Sequence, residues 1–205
     1  VNKLLNASKF VFMNLEDYNG KRPEKLELLD NVFLKKLNWV ISEATSYFEQ
    51  YEYSKAKALV EQFFWKDFAD NYIEIVKKRI YQGEGEKKIS AQYTLYRALL
   101  DLIKMMAPIT PFVTEEIYQN YFRKFEKEKS IHISEWPKSV KLKEAIEPLY
   151  DIFIELLADI RKEKSKAQKP MNSEIILTLD KNIKKRLEPV LGDLKNVTNA
   201  SEIKE

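Results

Sequence analysis

The stretch NKLLNASKF, residues 2–10, places polar and aromatic side chains beside a narrow apolar stripe near the start of the sequence. Leucine, alanine and valine recur at the three- and four-residue spacing of a helix that buries one face. This apolar stripe comprises Leu4, Leu5, Ala7, Val11 and Leu15. The side chains that lie largely off the stripe are Asn2, Lys3, Asn6, Lys9 and Phe10. Amides that pair with base edges, cations for phosphate and a ring for stacking are suited to unpaired nucleotides. The alternative is a solvated helix face with one additional core phenylalanine.

The composition of the 205 residues excludes several classes of protein. With no cysteine and a single histidine, His132, the chain has no disulfide, no thiol catalyst and no cysteine or histidine-cluster metal site. Hydrophobic residues make up 44% of the chain, and only 4 glycines and 7 prolines argue against a loop-rich β protein. No apolar run approaches the roughly 20 residues of a membrane helix, and the start is not a signal peptide. We expect a soluble, cytoplasmic, helical protein that binds no membrane.

The net charge of +3 is unevenly distributed. Residues 160–186 contain nine lysines and arginines and three acidic residues, which makes this segment strongly basic while the rest is slightly acidic. A local basic patch on a nearly neutral body suits a polyanionic partner. The candidates for contact with a phosphate backbone are Lys162, Lys164, Lys166 and Lys169. The alternative is a solvated helix end, where cations favour the helix dipole.

Periodicity predicts five helices over roughly residues 2–121. Asp30 is a candidate N-cap of the second helix, and Pro111 suits the first position of the fifth. An aromatic cluster on the third helix is predicted to be core: Phe63, Phe64, Trp65, Phe68 and Tyr72. Asp67 and Asp70 lie on the same helix, but nothing nearby supplies the partner chemistry of an acid–base pair.

The pattern changes after Tyr121. Residues 131–137 are predicted to be extended, and a long helix is expected over about 142–166. Alternation at Ile175, Leu177 and Leu179 predicts a strand, followed by a helix at about 183–191 and a second strand at about 197–203. We therefore expect a mainly α fold with two parts. Residues 1–140 form a helix bundle, and residues 141–205 form a long helix with a small α+β module.

Four blocks of sequence resemble the C-terminal region of valyl-tRNA synthetases, in the same order. NKLLNASKFV (2–11) resembles NKLxNAxxFV, and FFWKDFADNYIE (63–74) with Lys77 resembles FFWxDFCDWYxExxK. MAPITPFVTEEIY (106–118) resembles the HPxxPFxTEExW block that valyl, isoleucyl and leucyl enzymes share, and IHISEWP (131–137) resembles the element that follows it. The chain departs from these patterns in packing residues: Ala69, Asn71, Met106, Ala107 and Tyr118.

This resemblance, to archaeal-type enzymes in particular, implies the anticodon-binding helix bundle of a class Ia synthetase, followed by a small appended module. The implied partner is tRNA(Val) and not DNA, and the parent enzyme would be a monomer that attaches valine to the tRNA with ATP. The residues implied at the anticodon are Lys3, Asn6, Lys9 and Phe10. Phe10 would stack on a base, Lys3 and Lys9 would contact base edges or phosphate, and Asn6 would pair with a base edge.

Catalytic residues are expected to lie elsewhere in the parent enzyme, so the chain alone would use no cofactor. KEKSK (162–166) superficially resembles the ATP loop of class I synthetases, but it continues an apolar-striped helix. No HIGH-type element and no glycine-rich phosphate loop is present. Two alternatives stay open: the same region of an isoleucyl enzyme, and a non-catalytic helical scaffold that binds protein. The FFWKDF block argues against the first, and no large exposed apolar patch is evident for the second.

Overall fold

Helices dominate the computed structural model, which describes residues 2–140 and 148–205. Two helices, α1 (Asn2–Met13) and α2 (Leu28–Glu49), precede a long helical rod, residues 53–82. The rod is followed by α5 (Gly85–Met106), α6 (Pro111–Ile117), a short π-helical turn (Tyr118–Phe122) and a 3₁₀ turn (Ile131–Ile133). The last long helix is α7 (Leu149–Lys166). The expectation of a mainly α fold is confirmed.

The rod consists of three consecutive helical segments. It begins as α3 (Tyr53–Gln62), continues as a π-helical segment (Phe63–Tyr72) and ends as α4 (Ile73–Gln82). The residues at both junctions keep right-handed helical dihedral angles, so the chain does not break between segments. A π-helix bonds each N–H to the carbonyl five residues earlier, which changes the angle between successive side chains. The FFWKDFADNY block therefore presents its side chains differently from an α-helix.

Aromatic rings from three elements meet at the centre of the core. Phe33 of α2 stacks on Tyr72 of the rod with ring centroids 4.0 Å apart, and Phe63 and Tyr150 lie at 5.4 and 5.5 Å. Tyr150 belongs to α7, and its hydroxyl donates to the backbone oxygen of Asp67 at 2.8 Å. The core is thus continuous from the bundle into the first half of α7. The predicted boundary between two parts of the chain at residue 140 stays a prediction.

The C-terminal module is a β–α–α–β unit. Strand β1 (Ile175–Thr178) pairs in parallel with β2 (Ala200–Lys204), and the helices α8 (Lys181–Leu187) and α9 (Leu191–Thr198) connect them. The small α+β part is confirmed, but the sequence prediction omitted α9 and started the second strand too early, at Val197. Val197 is helical because α9 continues to Thr198 and ends at Asn199, which adopts the left-handed conformation with φ 54°.

Pro111 occupies the start of α6, as the sequence predicts. Asp30 does not cap α2: the helix begins at Leu28, and the carboxylate is buried where a guanidinium is a stronger partner than a backbone N–H. Ile131 begins a 3₁₀ turn, so residues 131–133 are not extended. Of the long helix expected over 142–166, residues 142–147 lie outside the described residues.

Candidate nucleic-acid interface

Helix α1 is linked to the rod by two side-chain contacts that occur in the same order along both helices. Near its start, the Lys3 ammonium lies 2.6 Å from a carboxylate oxygen of Asp70. Near its end, the Phe10 ring lies 5.3 Å from the Lys77 ammonium. Seven residues separate the two contacts on each helix, so α1 and the rod run in the same direction here. The NKLLNASKF stretch thus lies along the rod from Asp70 to Lys77.

The Lys3 side chain sits between a carboxylate and an indole ring. Its ammonium lies 4.0 Å from the centre of the Trp65 ring as well as against Asp70. The side chain is 29% exposed, so the pair can still be reached from solvent. Trp65 is 47% exposed, which makes its assignment to the core wrong, whereas the other four aromatics of that cluster are buried. Lys3 and Trp65 form one edge of the interface.

Phe10 is half-buried and packs against the edge of the core, beneath Lys77. Phe12, two residues later, is the true core phenylalanine of α1: its ring stacks on Tyr121 at 4.4 Å and meets Phe122 edge-on at 4.8 Å. Phe10 therefore lies outside the apolar stripe, as the sequence predicts. A half-exposed ring beneath a cation has groups that can stack on a base and attract its phosphate.

Asn6 and Lys9 are exposed on the same helix, between and beside these two contacts. Helix α1 contains no acidic residue, so its solvent face carries no negative charge of its own. Lys9, Lys124 and Glu16 also line a cleft of about 360 Å³. The structure thus places all four predicted anticodon residues on the side of α1 away from its buried stripe: Lys3, Asn6, Lys9 and Phe10. Their contact with RNA stays a prediction.

The four lysines predicted to contact the phosphate backbone divide into two groups. Lys162, Lys166 and Lys169 are exposed, and Lys166 pairs with Glu163 of its own helix at 2.6 Å. Lys164 is only 5% exposed, and its ammonium donates to three backbone carbonyl oxygens within 2.8 Å. These oxygens already use all three N–H groups, and burial lowers the pKa of this lysine. Lys164 is therefore a structural residue and is removed from the set.

A groove of about 450 Å³ extends from the α1 surface toward the C-terminal module. Asp70 and Lys77 lie at its α1 end, and Lys78 and Arg161 supply further positive charge. Arg161 donates to the side-chain oxygen of Asn71 at 2.7 Å, which fixes the guanidinium at the groove wall. Lys78 and Arg161 were not among the residues selected from the sequence, because they lie on different helices that only the fold brings together. Glu74 also lines the groove and pairs with Lys77, so the groove carries charges of both signs.

The two carboxylates on the rod are not a catalytic pair. Asp67 is buried and lies 2.7 Å from the Lys36 ammonium, while Asp70 pairs with Lys3. Burial raises the pKa of Asp67, and the lysine opposes that rise. Each carboxylate is therefore paired with a different lysine, and Lys36 also pairs with Asp151 at 2.7 Å.

Arg79 fastens the C-terminal module to the bundle. Its guanidinium donates to both carboxylate oxygens of Asp30, at 2.8 and 2.6 Å, and Tyr72 and Ser90 donate to the same carboxylate. Its Nε lies 2.9 Å from an Asp193 oxygen of α9, an ion-pair contact without hydrogen-bond alignment. These charges are buried and mutually paired, so they serve the fold.

The part of the chain that the structure describes contains no group of three or more histidine, cysteine or acidic side chains arranged to hold a metal ion. Within the same residues, none of the helices combines the length and apolarity needed to cross a membrane.

Comparison with known proteins identifies similar sequences. The family described as the anticodon-binding domain of tRNA ligase matches residues 30–180. The valine–tRNA ligase of Ehrlichia canis is 42% identical over 97% of this chain and 25% of its own length. Those of Wolbachia pipientis wMel and Thermococcus kodakarensis are 36% and 32% identical, over 99% and 98% of this chain. The chain spans about a quarter of the length of these curated relatives.

Proposed function

The chain belongs to the family of anticodon-binding domains of tRNA ligases, and we propose that it is the anticodon-binding part of a valine–tRNA ligase. The observation that carries this proposal is the similarity to valine–tRNA ligases over nearly the whole chain, at up to 42% identity. The parent enzyme would attach valine to tRNA(Val) with ATP, and it would act in the cytoplasm as a monomer. This part would hold the tRNA far from the reacting groups and help to orient the acceptor end.

The surface of α1 would contact the anticodon loop. Phe10 would stack on an unpaired base, and Lys3, Asn6 and Lys9 would pair with base edges or neutralise phosphate. The three exposed lysines at the end of α7, Lys162, Lys166 and Lys169, would contact the phosphate backbone. Base contacts discriminate between sequences, whereas phosphate contacts supply affinity that salt weakens. The support for these two roles is the exposure of both sets of side chains: Asn6 and Lys9 on α1, and the three lysines at the end of α7.

No chemistry is assigned to this chain alone. We propose that the ATP site and the catalytic residues of the parent enzyme lie outside the four sequence blocks described above. Two features support this: the KEKSK segment lies within helix α7, and the carboxylates of the rod are separately paired with lysines. The purified chain, incubated with valine, ATP and radiolabelled pyrophosphate, should show no exchange above buffer. Turnover above buffer would show that the assignment of catalysis elsewhere is wrong.

The decisive experiment is a titration of the purified chain with transcripts of tRNA(Val) and tRNA(Ile). We expect binding to both, because phosphate contacts are common to all tRNAs, and tighter binding to tRNA(Val). Preference for tRNA(Ile) would support the isoleucyl alternative. Absence of binding to either transcript at low salt would contradict the proposed function and favour a protein-binding scaffold.

A further inference from the structure

Trp65 is exposed in a segment whose other large aromatic side chains are buried. Phe63, Phe64, Phe68 and Tyr72 are at most 2% exposed, whereas Trp65 is 47% exposed. The segment is π-helical, and such segments are rare and often mark functional sites. A large apolar ring left in water forgoes the stabilisation that burial of that surface would give. The Trp65 ring is therefore available to a partner that would cover it on binding.

The Trp65 ring is held in place by its neighbours. Phe64 meets it edge-on, with centroids 6.1 Å apart, and the Lys3 ammonium lies 4.0 Å from its centre. Asp70 anchors that ammonium at 2.6 Å, so the cation stays over one face of the ring and leaves a base only the opposite face. Rings that stack on bases next to cations are typical of proteins that bind single-stranded nucleic acid.

The spacing along α1 suits a short single strand. Lys3, which marks the Trp65 edge, and Phe10 are seven residues apart, or about 10 Å along a helix that rises ~1.5 Å per residue. Stacked nucleotides are ~3.4 Å apart along a strand, so the interval corresponds to about three nucleotides. Asn6 lies between the two positions, exposed on a helix that carries no acidic residue.

We propose that Trp65 is a second stacking surface for an unpaired base of the same RNA loop that Phe10 contacts. This inference rests on the proposed function and deepens it by assigning a base-binding residue on the rod, outside α1. Lys3 would have two roles: its ammonium holds the Trp65 ring in place, and it attracts the phosphate next to the stacked base.

The test compares matched variants of the full chain in titrations with an anticodon stem-loop RNA of the valine type. Replacement of Trp65 by alanine should lower affinity by about five- to 150-fold, the range for loss of one base stack. Trp65→Phe keeps a ring and should retain most of the affinity. Trp39 of α2, which is similarly exposed at 43%, is the control, and Trp39→Ala should bind as the wild type does. Circular dichroism melts check that each variant is folded.

Fluorescence supplies a readout that a merely structural role would not change. In the double variant Trp39→Phe/Trp136→Phe, Trp65 is the remaining tryptophan, and stacking on a base should quench its emission as RNA is added. Unchanged emission, or equal affinity of Trp65→Ala and wild type for the stem-loop, overturns this inference and leaves the proposed function intact. Failure of the wild-type chain to bind the stem-loop overturns both.

Discussion

The ammonium of Lys164 donates a hydrogen bond of 2.7 Å to the carbonyl oxygen of Thr198, and so joins the end of α7 to the end of α9. The carbonyl oxygens of Met171 and Ser173 accept from the same nitrogen, each at 2.8 Å. A residue from the most basic segment of the chain thus holds the C-terminal module together from inside. Charge alone does not distinguish it from the exposed lysines around it.

Replacement of Lys164 by methionine should destabilise the protein by about 2–3 kcal/mol. The substitution keeps the apolar stem but removes the donor for three carbonyl oxygens, and leaving a buried acceptor unpaired costs ~1–3 kcal/mol. Urea unfolding monitored by circular dichroism measures the change. Lys162→Met, an exposed neighbour on the same helix, should stay within ~0.5 kcal/mol of wild type. Equal stability of the two variants would contradict a structural role for Lys164.

Charge reversal of Lys162, Lys166 and Lys169 together should weaken binding to all tRNAs about equally. Backbone contacts carry no sequence information, and each phosphate neutralised contributes ~0.7–0.9 to the slope of log K against log salt. The slope should fall by up to about 2–3, while the preference for tRNA(Val) persists. Affinity measured over a range of salt concentrations gives both quantities.

A control for that triple variant reverses three exposed lysines elsewhere, Lys55, Lys57 and Lys138. It changes the net charge of the protein by the same amount. Any difference between the two triple variants therefore reports local phosphate contacts and not the overall charge of the protein. Equal slopes for the two triple variants would mean that the end of α7 is only a solvated helix terminus.

Phe10→Ala should weaken tRNA binding by about five- to 150-fold with a modest loss of stability. The ring is half-buried under Lys77, so its removal leaves little cavity. Phe12→Ala is the matched control, because Phe12 is buried against Tyr121 and Phe122 and its loss should cost ~3–5 kcal/mol. Melts and titrations of both variants separate the roles. If Phe10→Ala unfolds as readily as Phe12→Ala and its folded fraction binds normally, the base-stacking role is wrong.

Asp101 should make the stability of the protein depend on pH between about 4 and 6. The carboxyl is 3% exposed in α5, and burial raises its pKa from 3.8 to about 6 in spite of Arg97, whose Nε donates to one oxygen at 2.9 Å. The folded protein therefore keeps a proton that the unfolded chain releases. This contribution to stability is present below pH 3.8 and is lost as pH rises through about 6, at most about 3 kcal/mol.

Asp101→Asn should remove this contribution, so the variant gains stability relative to wild type as pH rises from about 4 to about 7. Urea unfolding at several pH values measures the difference between the two proteins. Asp193, whose pKa burial also raises to about 6, titrates in both proteins and so cancels in that difference. A difference that does not vary with pH would contradict the shifted pKa of Asp101.

Much of the fold follows from patterns with a local physical cause. Apolar residues at helical spacing predicted the long helices, and alternation at Ile175, Leu177 and Leu179 predicted β1. The π-helical segment was not predictable in this way, because a period of 3.6 residues groups Trp65 with its buried neighbours. The structure places that ring at the surface. Helix α9 was missed because Val197 and Ala200 resemble parts of one apolar strand, although a left-handed Asn199 separates them.

The candidate site was predictable where its residues share one helix, and less so where the fold assembles it. Lys3, Asn6, Lys9 and Phe10 lie within nine residues, so periodicity and resemblance were enough to select them. The partners Asp70 and Lys77 lie more than sixty residues away in sequence. Their roles depend on the alignment of α1 with the rod, which no local pattern encodes.

The contacts of α1 at Lys3 and Phe10 have an entropic consequence for recognition. Because Asp70 holds one end and Lys77 lies over the other, the separation of the two RNA-facing positions is set before any ligand arrives. Such preorganisation reduces the ordering that the protein must undergo on association. Most of the conformational entropy lost on binding would then come from the tRNA loop. Nucleotide changes that make that loop stiffer or more flexible would therefore change the affinity, although no contact with the protein changes.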